Sequence, residues 1–316
     1  MTAEILNIDA PTAQRLLPFA ELIAKLRAAF VSPCVTPARH VHEIAHRMGA
    51  NKLLLMPAWN ETYLGLKVVV VAPANVAVGL PSLTSTYTLY DQPTGRTLAI
   101  IDGNAITSSR TAAASALAAS FLARSDAETM LVAGTGRVAS LLPSAYRAVL
   151  PIKRVLVWSQ SATRASALAD EFARQGFESS ACVDLTRGMQ RADVVSCATL
   201  ADRVIVAGKS LRTGMFVDLI GSFQPHSREA DDDAITRSKV FVDTTEALAK
   251  SGDLLIPIQG QVWSADRLHG TLADLCNGSV PGRRSAEEIF LFKSVGTALE
   301  DLTAAQMIYE RALASC

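Results

Sequence analysis

The sequence predicts an α/β fold in which a doubly wound parallel sheet is joined to a β-rich part. Between residues 130 and 242, short apolar runs of strand character recur, separated by segments of helical or turn character. Alternation of this kind favours a parallel sheet covered by helices. A glycine-containing turn follows the first of these runs, and closely spaced strand-like runs fill most of the first hundred residues.

The N-terminal part is expected to consist mainly of strands. A helix is predicted over residues 19–30. Strands are predicted at residues 52–56, 64–72, 85–90 and 97–102. Residues 91–95 contain proline and glycine and predict the hairpin turn between the last two strands. The alanine-rich residues 109–123 predict a helix that connects the two parts.

A glycine turn directly after the apolar run 130–133 predicts a phosphate-binding loop. Its residues are Gly134, Thr135, Gly136, Arg137 and Val138. The first glycine permits a tight turn, the second lets the backbone approach a pyrophosphate, and the small Ala139 lets the following helix pack closely. This turn therefore indicates a bound dinucleotide.

The next predicted strand, residues 154–158, lies one helix-length segment further on, as a βαβ unit requires. At its end stand Ser159, Gln160 and Ser161, with Arg164 just beyond and no carboxylate among them. Hydroxyls, an amide and a guanidinium can donate to a 2′-phosphate, which a carboxylate would repel. We therefore expect NADP(H), with NAD(H) as the alternative; Arg164 could instead simply face solvent.

The rest of the parallel sheet and its helices follow in order. Strands are predicted at residues 179–183, 194–198, 215–219 and 239–242. A helix over 162–175 should end at Gly176, and residues 296–314 predict a terminal helix that returns to the first part. Thr199, directly after the predicted strand 194–198, is a further predicted cofactor contact.

Composition indicates a globular protein with a small-molecule partner. The 316 residues are 49% hydrophobic and 19% charged, and the 30 basic residues balance the 30 acidic ones. This balance argues against a nucleic acid or an anionic membrane as partner. The five cysteines lack the spacing of a zinc site or a disulfide framework. The N-terminal residues lack the pattern of a secretory signal, so we expect a cytoplasmic protein.

Three basic residues of the first part are candidates for binding an anion: Arg39, Lys67 and Arg110. Lys67 stands inside the apolar run 63–71, where burial of a lysine is costly unless an anion compensates it. Together the three could hold a substrate carboxylate through charge-assisted hydrogen bonds. The alternative is an outward-facing lysine on an edge strand with two ordinary surface arginines.

Other titratable residues have simpler interpretations. His42 could titrate near neutral pH and serve as a proton donor, although a lone histidine is more often structural. It lies close to His40 and His46, but no matching acid or cysteine completes a metal site. The acidic run 231–233 predicts a helix start, and Asp301 is expected to serve packing or capping.

Several ordered motifs make the chain resemble the ornithine cyclodeaminase/mu-crystallin family. They are Leu53–Ala58, Pro73–Asn75, Arg110–Ala113, Asp218–Gly221, Lys293–Gly296 and Glu300–Asp301. The resemblance implies that a Rossmann-type NAD(P)-binding domain, residues 113–293, is inserted in a substrate-binding and dimerisation domain made of residues 1–112 and 294–316. It also implies a homodimer, an α-carboxylate held by the three basic residues, and Val295 and Gly296 near the nicotinamide.

Two departures from cyclodeaminases indicate a different reaction. Phe223 and Leu54 stand where cyclodeaminases carry the acids that meet the two amines of ornithine. The chain is therefore similar to the ketimine-reductase branch, which implies NADPH-dependent reduction of Δ1-pyrroline-2-carboxylate to L-proline and Δ1-piperideine-2-carboxylate to L-pipecolate. The alternatives are an ornithine cyclodeaminase, an alanine- or opine-type dehydrogenase, and a non-catalytic NADPH-dependent ligand carrier like the crystallins.

Overall fold

The structure, a computed structural model, describes residues 4–47, 49–199 and 203–315. The chain forms two compact units. The first unit comprises Met1–Thr111 and Thr297–Cys316, and the second comprises Ala112–Gly296. Along the chain, the second unit is thus inserted between two segments of the first.

The N-terminal segment supplies the strands of the first unit and the start of a long helix. Its strands are β1 (Leu6–Ile8), β2 (His40–His46), β3 (Gly49–Trp59), β4 (Tyr63–Val71), β5 (Leu83–Asp91) and β6 (Thr97–Asp102). Its helices are α1 (Ala10–Arg15), α2 (Phe19–Ala29) and α3 (Gly103–Leu122). Helix α3 starts earlier than the predicted residue 109, because the Asp102 carboxylate accepts the N–H of Ala105 at 2.7 Å and satisfies a donor of the first turn.

The strands of the first unit form one sheet in the order β1–β6–β5–β4–β3–β2. β1 pairs with β6 in parallel, and the other neighbours are antiparallel. The predicted hairpin turn joins β5 to β6, and the N–H of Gly95 donates to the carbonyl of Asp91 at 2.9 Å. The sequence missed β2, because every residue of this edge strand is exposed and the alternation of a half-buried strand is absent.

The second unit consists of short strands that alternate with helices. Its strands are β7 (Thr129–Ala133), β8 (Arg154–Trp158), β9 (Glu178–Ala181), β10 (Val194–Cys197), β11 (Phe216–Leu219), β12 (Lys239–Val242), β13 (Gly270–Thr271) and β14 (Phe290–Lys293). Its further helices are α4 (Leu142–Arg147), α5 (Ala162–Arg174), α6 (Leu185–Arg191), α7 (Asp232–Thr236), α8 (Ala247–Lys250), α9 (Gly252–Gln259) and α10 (Leu272–Asn277). Asp231 caps α7, so the acidic run is the predicted helix start.

The strands of the second unit form one sheet in the order β13–β12–β14–β11–β10–β7–β8–β9, and all their pairings are parallel. The predicted doubly wound parallel sheet is therefore confirmed. Strand order reverses at β7, with β8 and β9 on one side and β10 and β11 on the other. Open parallel sheets bind ligands outside the carboxyl ends of the strands at such a reversal. The residues directly after β7 and β10 thus lie at the expected binding edge.

The C-terminal helix α11 (Ala298–Ala314) belongs to the first unit and packs against α2, β3 and β4. Two ion pairs tie it to α2, Lys25–Glu310 at 2.6 Å and Arg311–Glu21 at 2.7 Å. Thr297 caps its N-terminus, and the first turn of the helix contains two acidic residues, Glu300 and Asp301. None of the helices in the described ranges is long and apolar enough to cross a bilayer.

Candidate functional site

Lys67 is buried in the middle of β4, a strand with a neighbour on each side. Its side chain is only 3% exposed, so the alternative of an outward-facing lysine on an edge strand is wrong. Its Nζ lies 2.6 Å from Oδ2 of Asp301 and donates to the hydroxyl of Thr107 at 3.3 Å. The carboxylate that compensates this buried lysine therefore comes from the protein's own C-terminal helix.

Arg110 is buried in α3 and binds both acidic residues of the first turn of α11. Its Nε donates to Oδ1 of Asp301 at 2.9 Å, and a terminal guanidinium nitrogen donates to Oε2 of Glu300 at 2.7 Å. The two carboxylates also face the positive end of their own helix. The structural role of Asp301 is specifically that of an ion-pair partner, because its carboxylate lies fully buried between two cations.

The charges of this cation cluster, Arg39, Lys67 and Arg110, shift the pKa values within it. Burial lowers the pKa of Lys67 to about 8, with Arg110 and Arg39 acting in the same direction and Asp301 opposing them. Arg39, half-buried directly before β2, is thus close enough to interact with Lys67. Burial alone would raise the pKa of Asp301, but the attraction of Lys67 and Arg110 lowers it. Lys67 and Arg110 thus share the carboxylate of Asp301.

Tyr87 packs beside the cation cluster on β5, opposite Lys67 in the strand register. It is buried, and its hydroxyl has no hydrogen-bond partner within the described ranges. Burial raises its pKa well above the ordinary value, and the charge of Asp301 adds to this shift. A Cβ at Gly65 would lie 1.9 Å from the Tyr87 hydroxyl, so the ring occupies space that only glycine leaves open. Tyr87 therefore supports the cluster as a neutral packing residue.

The three histidines of the N-terminal part lie on the exposed edge strand β2. His42 pairs with Leu53 of β3, and Nε2 of His46 lies 3.0 Å from Oδ1 of Asn51. Across the described residues, no group of three or more His, Cys, Asp and Glu side chains could hold a metal ion. The role of His42 as a proton donor stays a prediction.

The glycine turn leaves β7 with two glycines in different environments. Gly134 has a φ of +121°, and a Cβ there would lie 2.5 Å from the carbonyl oxygen of Ala198. A Cβ at Gly136 would meet no described atom within 4 Å, so the protein fold itself does not require glycine at this position. A phosphate that approaches the backbone would require it. The residues present thus fit a dinucleotide.

The helix after the glycine turn is shorter than the sequence predicts. The N–H of Ser140 donates to the carbonyl of Gly136 at 3.0 Å and leads into a 3₁₀ turn at Ala139–Leu141 before α4 begins. Pro143 lies in the first turn of α4 and has no N–H to continue the hydrogen bonds of the preceding turn. The segment therefore offers a phosphate the backbone N–H groups of a turn, with little help from a long helix dipole.

The end of β8 carries the polar residues predicted to meet the ribose. The hydroxyl of Ser161 accepts the N–H of Arg164 at 3.3 Å and caps α5, while the hydroxyl of Ser159 accepts the N–H of Ser161 at 3.2 Å. A hydroxyl that accepts one hydrogen bond can still donate its own proton. Gln160 and Arg164 are exposed beside them. This strand end therefore combines hydroxyl, amide and guanidinium donors.

The turn at Val295 and Gly296 is held by a carboxylate that sequence reasoning missed. The N–H groups of both residues donate to Oδ2 of Asp243, at 2.7 and 2.6 Å respectively. Gly296 has a φ of +77°, which favours glycine. Asp243 follows β12 and is far from this turn in the sequence, so no local pattern could have indicated the contact.

Asp218, which opens the Asp218–Gly221 motif, ties several elements of the second unit together. Its carboxylate accepts hydrogen bonds from the hydroxyls of Ser115 at 3.1 Å, Tyr146 at 2.9 Å and Ser196 at 2.6 Å. Burial raises the pKa of Asp218 to about 6, against the effect of these hydrogen bonds and of Lys293. The aspartate thus has a structural role beneath the binding edge of the sheet.

Residues 14–315, which include both the cation cluster and the glycine turn, match the model of the ornithine cyclodeaminase/mu-crystallin family. The chain belongs to this family. A Δ1-pyrroline-2-carboxylate reductase from Colwellia psychrerythraea is 37% identical over 312 residues, covering 96% of this chain and 98% of that protein. The resemblance inferred from the motifs is therefore confirmed.

Solved structures of related proteins share the fold over nearly the whole chain. The Δ1-pyrroline-2-carboxylate reductase of Thermococcus litoralis, in complex with NADH and L-proline, has a TM-score of 0.93 and 31% identity, with 98% of each chain covered. An archaeal alanine dehydrogenase dimer with bound NAD has a TM-score of 0.90 and 27% identity, covering 98% of this chain and 97% of that one.

The two residues that depart from the cyclodeaminase pattern, Leu54 and Phe223, lie on different units of the chain. Leu54 is half-buried on β3, where it pairs with Val41 and Val69. Phe223 is 43% exposed in the segment between β11 and α7. Neither position offers a carboxylate to a substrate ammonium.

Proposed function

We propose that the chain is an NAD(P)H-dependent reductase of cyclic imine carboxylates. The observation that carries this proposal is the convergence of three cationic side chains in the cation cluster, of which Lys67 and Arg110 are buried. A substrate carboxylate could bind these cations through charge-assisted hydrogen bonds. The relatives support the same reaction class, since the Colwellia protein is a Δ1-pyrroline-2-carboxylate reductase and the Thermococcus structure contains NADH and L-proline.

The proposed substrates are Δ1-pyrroline-2-carboxylate and Δ1-piperideine-2-carboxylate, reduced to L-proline and L-pipecolate. Apolar Leu54 and Phe223 favour a substrate without further ammonium groups, because a buried ammonium without a partner costs about 1–3 kcal/mol or more. The two rings differ by one methylene, which typically changes discrimination by about 1–3 kcal/mol. We therefore propose that both rings are accepted.

The proposed cofactor is NADPH, with NADH as a second donor. Ser159, Ser161 and Arg164 offer donors to a 2′-phosphate, and no acid follows β8 to repel it. The Thermococcus complex with NADH supports use of the unphosphorylated cofactor as well. The side chains at the end of β8 would then set the preference between the two.

In the proposed mechanism, residues 1–112 and 294–316 form the substrate-binding part and residues 113–293 form the cofactor-binding part, with Val295 and Gly296 near the nicotinamide. Lys67, Arg39 and Arg110 bind and orient the substrate carboxylate. Asp301 and Glu300 hold the two buried cations in fixed positions, so little reorganisation is needed on binding. The substrate carboxylate offsets the repulsion between these cations and a protonated imine. The nicotinamide, when bound, supplies the hydride.

The experiment that tests this proposal is oxidation of NADPH and NADH by the purified chain with each cyclic imine. We expect oxidation with both imines and formation of L-proline and L-pipecolate. Ammonia and proline released from ornithine with NAD+ would contradict the proposal and indicate a cyclodeaminase. Tight NADPH binding without oxidation by any imine would indicate a ligand carrier.

A second candidate is an alanine-type dehydrogenase, which the archaeal alanine dehydrogenase at 27% identity favours. Its substrate carboxylate would use the same cation cluster, so the two candidates differ in the amine source. Pyruvate with ammonia, and pyruvate with methylamine, are therefore assayed beside the cyclic imines. Faster NAD(P)H oxidation with pyruvate and ammonia than with either imine would favour the dehydrogenase.

We also propose a homodimer in which β2 contacts a second copy of the chain. β2 is the edge of its sheet, and an edge strand presents unpaired backbone groups on its outer side. Val41 and Ile44 on this strand are 51% and 47% exposed, which is unfavourable in water. Val41 and Ile44 lie on opposite faces of β2, so a second chain along this edge would cover part of each side chain.

A further inference from the structure

Glu229 is a fully buried carboxylate that bonds two segments at the binding edge of the second unit. Its Oε1 accepts the N–H of Thr199 at 3.1 Å and the Thr199 hydroxyl at 2.7 Å, and its Oε2 accepts the N–H of Gly221 at 2.8 Å. Thr199 follows β10 and Gly221 follows β11, which are adjacent parallel strands. One side chain thus bridges the ends of two neighbouring strands.

These two strand-end segments, residues 198–199 and 220–221, are packed tightly against each other and against the glycine turn. A Cβ at Gly221 would lie 1.8 Å from the carbonyl oxygen of Thr199, and a Cβ at Gly134 would lie 2.5 Å from that of Ala198. Dinucleotides bind in this crevice in parallel sheets. A shift of either segment would therefore be transmitted to the backbone that faces the cofactor.

A second buried carboxylate, that of Asp253, holds the backbone of Glu229 in place. Oδ1 of Asp253, on α9, accepts the backbone N–H groups of Glu229 and Ala230 at 2.7 and 2.9 Å. Its Oδ2 lies 3.2 Å from Nζ of Lys293, at the end of β14. The backbone of Glu229 is thus fixed, and its side chain has a defined reach to both strand-end segments.

Three titratable groups of the described ranges interact with Glu229: Lys293 on β14, Asp253 on α9 and Cys197 on β10. Asp218 on β11 interacts in turn with Lys293 and Cys197. Burial raises the pKa of Glu229 to about 7, Lys293 and the Thr199 hydrogen bonds lower it, and Asp253 raises it further. All three bonds to Glu229 come from donors, which the ionised carboxylate accepts best. The strength of the bridge therefore depends on pH near neutrality.

We propose that Glu229 is a positioning residue for the cofactor site, whose carboxylate holds the Thr199 and Gly221 segments in the arrangement that a dinucleotide requires. This inference rests on the proposed function, because it assumes that the second unit binds NAD(P)H. Glu229 itself does not touch the cofactor and acts through the two segments. Loss of the Glu229 carboxylate therefore weakens cofactor binding, and any effect on the chemical step follows from that weaker binding.

The test is calorimetric titration of NADH into the full-length wild-type chain, the Glu229→Gln variant and a Glu178→Gln control. Glu178 is an exposed carboxylate on β9 of the same unit. NADH is used because the 2′-phosphate of NADPH titrates near pH ~6. From pH ~8 to pH ~6, the wild-type Kd is expected to rise about ten-fold, as the binding-competent fraction falls. Glu229→Gln is expected to bind about ten-fold more weakly at pH ~8 and to lose this pH dependence.

The control variant is expected to follow the wild type. A wild-type Kd that is constant over this range, or a Glu229→Gln variant that retains the wild-type pH profile, would overturn the inference. If the Glu229→Gln variant does not fold, the pH dependence of the wild-type Kd for NADH still tests the inference. Failure of the wild type to bind NADH or NADPH overturns the proposed function and this inference with it. Binding with the expected profile but no imine reduction overturns the proposed reaction alone and supports Glu229.

Discussion

Lys67 and Asp301 form a buried ion pair, with Nζ 2.6 Å from Oδ2, that joins a central strand to the C-terminal helix. Asp301 also accepts a hydrogen bond from Arg110, so this one carboxylate partly neutralises two buried cations. Removal of one partner from such a buried pair typically costs about 3–5 kcal/mol, because the other charge is left buried and unpaired.

Carboxylate binding at the cation cluster should weaken as the pH rises above about 8. Lys67 is protonated below its lowered pKa of about 8 and loses its charge above it. The Kd of pyrrole-2-carboxylate, whose ring nitrogen does not titrate here, is expected to rise by up to about ten-fold per pH unit beyond that midpoint. Calorimetric titration across this range measures the effect.

The Asp301→Asn variant provides the control for this pH dependence. Asp301 raises the pKa of Lys67, so its neutralisation should move the midpoint to lower pH. An unchanged midpoint in the variant, or a wild-type Kd that stays constant from pH ~7 to pH ~10, would exclude Lys67 as the titrating group.

Gly136→Ala should impair cofactor binding without destabilising the fold. A Cβ at this position meets no described atom within 4 Å, but it would lie where the backbone is expected to approach a phosphate. We expect an unchanged free energy of unfolding and NADH binding weakened by about ten-fold or more. Gly134→Ala is the contrasting variant, because its Cβ would overlap the Ala198 carbonyl and should lower stability as well. Equal NADH affinity of Gly136→Ala and wild type would contradict the predicted phosphate site.

Arg164→Ala should lower the affinity for NADPH and leave that for NADH unchanged. Arg164 is exposed in the first turn of α5, beside the hydroxyls expected to meet the ribose. Loss of a hydrogen bond to a charged group costs about 1.5–3 kcal/mol, or about 10- to 150-fold in Kd. Arg174→Ala, at the opposite end of the same helix, is the control. Parallel loss of both cofactors would show that Arg164 does not read the 2′-phosphate.

Lysines at positions 41 and 44 should dissociate the proposed homodimer. The double variant Val41→Lys/Ile44→Lys introduces two charges on β2 where the wild type exposes apolar side chains. Light scattering coupled to gel filtration should report a dimer for the wild type and a monomer for the variant. Val183→Lys, which changes a 90% exposed residue of the second unit, should leave the mass unchanged. A wild-type monomer would refute the dimer.

The sequence predicted the parallel sheet and the position of the glycine turn, because both depend on local patterns. Apolar strand runs and a glycine with positive φ are readable within a few residues, as at β7 and Gly134. Local patterns were insufficient where the structure is set by a neighbour or an edge. β2 shows no burial alternation because both of its faces are exposed, and the helix after Gly136 is shortened by Pro143.

The candidate site was predicted only in part, for a similar reason. The apolar neighbours of Lys67 correctly indicated a buried cation, but they could not reveal which anion balances it. Asp301, Glu229 and Asp243 all act on residues distant in sequence, and no spacing rule links them to their partners. The partners of these buried carboxylates could therefore be identified only from the structure.

Reduction of Δ1-pyrroline-2-carboxylate by Lys67→Met, compared with Lys52→Met, decides whether the cation cluster binds the substrate. Lys52 lies on the neighbouring strand β3 with its side chain 56% exposed, and it serves as the matched control. We expect KM to rise about 10- to 100-fold in Lys67→Met, with the Kd for NADH unchanged, and wild-type kinetics in Lys52→Met. Wild-type KM in a folded, NADH-binding Lys67→Met variant would contradict the account.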